Sequence, residues 1–198
     1  CTCDQAISAQ VKPTINVIFD TALEICSGDM IQIGPLPTVN YDYEWLSVGG
    51  SSLALLSATN TTQVTFSQNN ATGADIITKY ALRTSTGSCF AYDTVCIIVH
   101  PARMDSIVVS TCLNGDFSLP APPAGGSNFN WVPSLGLSFP GPDSGFAVVD
   151  SVIASQIYNL DYIGADGCPA SWIINLMAVD CGTALTALGD TVWFDFNE

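Results

Sequence analysis

The side chains with most chemistry to offer are eight cysteines, in a chain of 198 residues that holds one histidine, His100. No Cys-x-x-Cys occurs, and a structural zinc site wants four nitrogen or sulfur ligands at close spacing. Disulfide formation is the chemistry that remains, and it implies an oxidising, extracytoplasmic setting. Acid–base or nucleophilic catalysis has little to stand on. His100 precedes Pro101 and reads as a linker residue. There is no Gly-x-Ser-x-Gly, no His-Glu-x-x-His and no phosphate-binding glycine loop. Carboxylate pairs such as Asp161 with Asp166 arise by chance in a chain with 18 acidic residues. No enzyme activity and no catalytic residue is expected.

Two of the cysteines mark the elements that must hold them. Cys26 is followed by Trp45 and Cys112 by Trp131, and 86 residues separate both the cysteines and the tryptophans. Each unit then closes alike: Tyr80-Ala-Leu82 runs to Cys89, and Tyr158-Asn-Leu160 runs to Cys168. Four landmark types in one order make an internal repeat. Between the landmarks, short alternating runs are broken by Gly, Asn and Pro. Examples are Met30–Ile33, Tyr41–Trp45, Thr62–Phe66 and the hairpin pattern of Ile76–Arg83 with Phe90–Val99. Thr14–Phe19 reads as a further strand. The second unit repeats the scheme through Ser106–Val109, Phe117–Leu119, Asn128–Trp131, Gly145–Val149, Gln156–Ile163 and Ser171–Val179. Such spacing predicts an all-β chain of tandem sandwiches, residues 1–100 and 101–180. Residues 181–198 follow the second sandwich.

Composition limits the partners. Four Lys and Arg against 18 Asp and Glu give a net charge of −14. Binding nucleic acid needs clustered cations, and Lys12, Lys79, Arg83 and Arg103 are scattered, so no nucleic acid is expected. Anionic membrane surfaces are excluded on the same ground. No apolar run reaches the roughly 18 residues of a membrane helix, so no membrane insertion is expected. Charged residues are only 11% of the chain, with mean hydropathy +0.36, so neighbours in an assembly or covalent sugar must cover part of the surface.

The simplest cysteine pairing stays within each repeat, Cys26–Cys89 and Cys112–Cys168, near the strand-borne tryptophan. Cys3–Cys96 is the favoured third bridge, because the last strand of a sandwich commonly runs beside the first. Cys1 and Cys181 are left for cysteines of missing neighbours, or as free thiols. The aromatics Tyr41, Tyr43 and Phe129 share strands with Trp45 or Trp131 and read as packing, with a sugar-stacking platform as the alternative.

The pattern Cys-x-Gly-Asp at Cys26, aromatic-x-Trp at Trp45, and Tyr-x-Leu running into Gly87-Ser-Cys89 resembles the PKD-like/Ig-like repeats of giant surface and gliding-motility adhesins of Bacteroidota. The resemblance covers roughly residues 20–180 and implies two tandem Ig-like/PKD-like β-sandwiches with intradomain disulfides. Leu188-Gly-Asp-Thr-Val-Trp193-Phe-Asp195-Phe-Asn197 is similar to the opening of serine-aspartate-repeat B-like domains, which implies that residues 181–198 are a linker and the start of a third, truncated domain. That likeness implies the first two oxygen ligands of a calcium loop at Asp195 and Asn197, an incomplete site since calcium takes 6–8 oxygens. Otherwise no cofactor is expected. The resemblance also points to an O-glycosylation tripeptide, Asp-[Ser/Thr]-apolar, which occurs at Thr21, Thr94, Ser106, Ser151 and Thr191. Asn60 and Asn70 fit the N-linked sequon but sit in turns.

The function expected from these readings is a non-enzymatic structural or adhesive repeat segment of a large secreted cell-surface protein or extracellular filament. Its partners would be neighbouring repeats or identical subunits in a fibre or stalk, and surface glycans. The alternative is a carbohydrate-binding accessory module of a secreted enzyme.

Overall fold

The computed structural model describes residues 22–141 and 144–182. The chain divides into two compact units, Cys1–Arg103 with Ile163–Ala170, and Met104–Tyr162 with Ser171–Glu198. Every regular element among the described residues is a strand except one 3-10 turn, Leu53–Leu55. The predicted strand at 14–19 and the segment from 183 onward lie outside the described residues.

In the first unit, β1 (Leu23–Cys26), β6 (Cys89–His100), β5 (Ile76–Thr86) and β3 (Asp42–Val48) form one sheet in that order, and β2 (Met30–Ile33) pairs with β4 (Val64–Ser67) in a second. Alternation decides which side chains face the space between them. Tyr80 and Leu82 of β5, and Val95, Ile97 and Val99 of β6, point inward to meet Ile33, Val64 and Phe66 from the small sheet. Trp45 of β3 fills the middle and is 2% exposed. Its indole Nε1 donates to the Thr61 carbonyl at 2.9 Å, so the buried ring keeps its polar atom paired. The Tyr80 hydroxyl donates to the Ser52 carbonyl at 2.8 Å, and burial pushes this phenol up to about 12. Gly34 permits the closest approach in the unit: its φ is +105°, and a Cβ there would sit 1.9 Å from the Thr62 carbonyl oxygen.

The second unit repeats the arrangement. β7 (Arg103–Cys112), β13 (Pro169–Val179), β12 (Gln156–Ile163) and β9 (Ser127–Val132) form a sheet in that order. The other sheet is β10 (Leu137–Ser138), β11 (Val148–Val149) and β8 (Phe117–Ser118). Tyr158, Leu160, Ile174 and Leu176 are buried together with Trp131, Val149 and Val152. Trp131 Nε1 donates to the Ser144 carbonyl at 3.0 Å, the counterpart of the Trp45 bond. Phe129 stacks on Tyr162 with centroids 6.0 Å apart.

In both units the first strand joins the last, then come the penultimate strand and the third, with the second strand in the opposite sheet. This is the strand order of an Ig-like sandwich in which the first strand has joined the sheet of the last. The chain is therefore all-β, with two Ig-like sandwiches in tandem.

Candidate functional site

The direction of the first strand governs the cysteines. β1 runs parallel to β6, with Leu23 opposite Ile97 and Cys26 opposite His100. Cys26 thus stands at the end of β6, whereas Cys89 stands at its beginning, across from Thr86 at the turn. Eleven residues of strand separate the two levels, roughly 36 Å, far beyond the roughly 7 Å that a disulfide spans between Cα atoms. The expected Cys26–Cys89 bridge is therefore not formed, and Cys26 bonds Cys168 with Cα atoms 5.5 Å apart. The same geometry excludes Cys112–Cys168. Leu113 donates to the Val179 carbonyl at 3.0 Å, placing Cys112 by the end of β13, while Cys168 precedes its start. Cys112 bonds Cys181, with Cα atoms 5.4 Å apart, so Cys181 is neither spare nor directed to a missing neighbour. Cys96 carries a free thiol on the outward face of β6, opposite Lys79. The expected Cys3–Cys96 bridge is accordingly absent, and Cys3 itself lies outside the described residues.

Cys168 sits in the segment 163–170, which belongs to the first unit although it is the tip of the β12–β13 hairpin. The tip is held by more than sulfur. Gly164 donates to the Cys168 carbonyl at 2.8 Å, and Asp166 Oδ1 accepts from the Cys168 amide at 3.1 Å. Arg103 lies 2.9 Å from Asp166 Oδ2, an ion pair whose direction falls off the ideal for a hydrogen bond. Beside Cys26, His100 is 8% exposed. Its Nδ1 is 2.9 Å from Asp75 Oδ1 and its Nε2 is 3.4 Å from Glu24 Oε2. The bond to Asp75 raises the imidazole above its usual value; Glu24 and the charges of Asp75 and Asp166 add to this, against the opposing effect of burial. Both ring nitrogens are taken by carboxylates, so neither is left to draw a proton from a nucleophile. His100 is a strand residue at the core of an ionic cluster, not the linker residue its neighbour Pro101 suggested.

The other expected sites fall apart from this cluster. Thr94, Ser106 and Ser151 are exposed, while Thr21 and Thr191 lie outside the described residues. Asn70 is fully buried, its Nδ2 donating to the carbonyls of Val99 at 2.7 Å and Ala74 at 2.8 Å, so that sequon has no accessible nitrogen. Asp195 and Asn197 lie outside the described residues, and among the described residues no group of three His, Cys, Asp or Glu side chains is arranged to hold a metal. Tyr43 packs against the core, and Phe129 stacks on Tyr162. The exposed aromatic pair is instead Phe90 and Tyr92, 51% and 56% exposed, in edge contact at 5.7 Å. Arg83 lies 5.6 Å over Phe90 and pairs with Glu44 at 3.0 Å. The signal for this pair was the Phe-x-Tyr alternation opposite Arg83 in the hairpin.

No helix among the described residues is long and apolar enough to cross a membrane. No protein-family model matches the chain, and no curated protein does. Among solved structures, it is similar to DIP-gamma IG1+IG2, at 12% identity over 83% of this chain and 95% of that one, with TM-score 0.37. It is also similar to the N-terminal four Ig domains of Dscam1, at 10% identity over 84% of this chain and 45% of that one, TM-score 0.38. The titin domains z1z2 in complex with telethonin give 13% identity over 80% and 92%, TM-score 0.31.

Proposed function

We propose that the chain is a non-enzymatic, load-bearing repeat segment of a large secreted cell-surface protein or extracellular filament, where its partners are neighbouring repeats or like subunits. The observation that carries this reading is the interleaving of the two bridges. Along the chain the bonded cysteines fall in the order 26, 112, 168, 181, so each closed loop contains one end of the other. Tension applied at the two ends passes from Cys26 straight to Cys168 and on to Cys181. Between residues 26 and 181 the oxidised chain can then lengthen over only about 13 residues, roughly 45 Å, against roughly 500 Å for the same stretch without bridges. An undercharged surface and an extracytoplasmic redox setting agree with a segment covered by neighbours or by sugar at Thr94, Ser106 and Ser151, which intact mass would reveal.

Pulling single molecules by their ends is the test. Under oxidising conditions the stretch should release about a tenth of what it releases after reduction with a dithiol. Equal release in both states would end the load-bearing reading. A second reading, carbohydrate binding, is favoured by Phe90 and Tyr92, whose exposed faces can stack on the C–H face of a sugar ring. Glycan-array binding that disappears in Tyr92→Ala would establish it, and a silent array would dismiss it.

A further inference from the structure

The two large sheets turn very different faces outward. On the first unit, Glu24, Glu44, Lys79 and Arg83 all lie on the outward side. On the second, alternation sends Tyr158, Leu160, Ile174 and Leu176 inward and leaves a face with one charged side chain, Asp161, which accepts a hydrogen bond from Ser171 Oγ at 2.5 Å. Met104, Val108, Val132, Ile157, Met177 and Val179 stand on this face, 74%, 61%, 49%, 54%, 49% and 42% exposed. Asn130, Asn159, Asn175 and Ser106 lie between them. The face is not flat. Met104, Val132, Asn159, Asp161, Ser171 and Ile173 line one hollow of about 240 Å³. A second, of about 350 Å³, is lined by Ser155, Gln156, Ile157, Asn175, Leu176 and Met177.

We infer that this outer face of the β7–β13–β12–β9 sheet is a self-association surface whose occupant is the same face of a second copy of this chain. Charge selects the partner. A chain of net charge −14 repels its own kind over most of its surface, and two copies can meet only where acidic groups are missing. A basic partner, by contrast, would find almost nothing here to pair with. The face also carries both halves of a self-complementary contact, protruding Ile and Met side chains next to hollows that can receive them, which is what an isologous interface requires. Four strands about 4.8 Å apart and about 26 Å long offer roughly 500 Å². Two copies would bury roughly 1,000 Å², the lower limit for a specific interface, so the pairing is weak and concentration-dependent. It supplies the like-subunit contact of the load-bearing reading, on which it rests for its biological sense.

Sedimentation of the full chain tests this, on a sample whose intact mass shows Ser106 to be bare. The sedimentation coefficient should rise with concentration up to the millimolar range. It should rise further as salt goes from about 0.05 to 0.5 M, because screening removes like-charge repulsion. Ile157→Asp and Met177→Glu, which alter exposed side chains and should melt as the wild type does, should each weaken association at least tenfold. Ile77→Asp, on the outer face of the first unit, should leave it unchanged. A monomer at every concentration would overturn the inference, as would equal loss in Ile77→Asp. A dimer appearing only when residues 183–198 are deleted would also overturn it, by showing that the chain's own end occupies the face. A monomer that still releases only the short segment when pulled would end this inference and leave the load-bearing reading standing.

Discussion

Both units seat a strand-borne tryptophan in the same way, Trp45 donating to Thr61 and Trp131 to Ser144. In both, the first strand joins the sheet beside the last. They part over the cysteine that ends that first strand. Cys112 takes Cys181, just past the last strand of its own repeat, whereas Cys26 takes Cys168 from the hairpin tip of the next repeat. The Ig-like fold requires the features the two units share, and the choice of cysteine partner is what this chain adds. The indole bond and the strand order recur because the core needs them. The partner of the strand-end cysteine is whichever cysteine is brought to that end of the sheet.

The largest effect should come from removing the bridges in turn. They close separations of 142 and 69 residues, worth about 5 and about 4 kcal/mol by the chain-entropy estimate. Cys26→Ser with Cys168→Ser should therefore destabilise the chain more than Cys112→Ser with Cys181→Ser, as read by denaturant unfolding. The opposite ranking would break the distinction drawn between the two units. Trp45→Ala and Trp131→Ala should each cost about 3–5 kcal/mol. Here the units should behave alike, and a loss confined to one of them would show that the indole bond is not a shared requirement.

The smallest effect concerns His100, which has no histidine counterpart elsewhere in the chain. Its folded-state value is raised above the unfolded one, chiefly by the bond to Asp75. Its contribution is then complete below about pH 6.5 and is lost as pH rises through the folded value. The stability gap between wild type and His100→Gln, measured in urea, should be wider at about pH 6 than at about pH 9. A gap that grows with pH would contradict the cluster.

The fold was open to reading because its signals are local. The 19-residue step from Cys26 to Trp45, repeated from Cys112 to Trp131, and the alternation in Tyr80-Ala-Leu82 or Val95–Val99 report burial directly, whatever the rest of the chain does. The disulfides were not, because pairing depends on strand direction. Whether β1 lies parallel or antiparallel to β6 moves Cys26 by the whole length of a strand, and nothing in residues 23–26 encodes that choice. His100 was hidden for a related reason. Its partners Glu24 and Asp75 are 76 and 25 residues away, and only the closed sheet brings them together. Phe90 and Tyr92 could have been seen, since the hairpin pattern already put them on one face with Arg83.

Connectivity of the sulfurs is the point on which the central claim turns. Digestion under non-reducing conditions, with free thiols blocked beforehand, followed by mass spectrometry of the linked peptides, reads it directly. Peptides containing Cys26 and Cys168, and peptides containing Cys112 and Cys181, should be found joined, with the Cys96 peptide carrying the blocking group. Peptides joining Cys26 to Cys89 and Cys112 to Cys168 would mean two independently stapled repeats, and the interleaved, load-bearing account would be wrong.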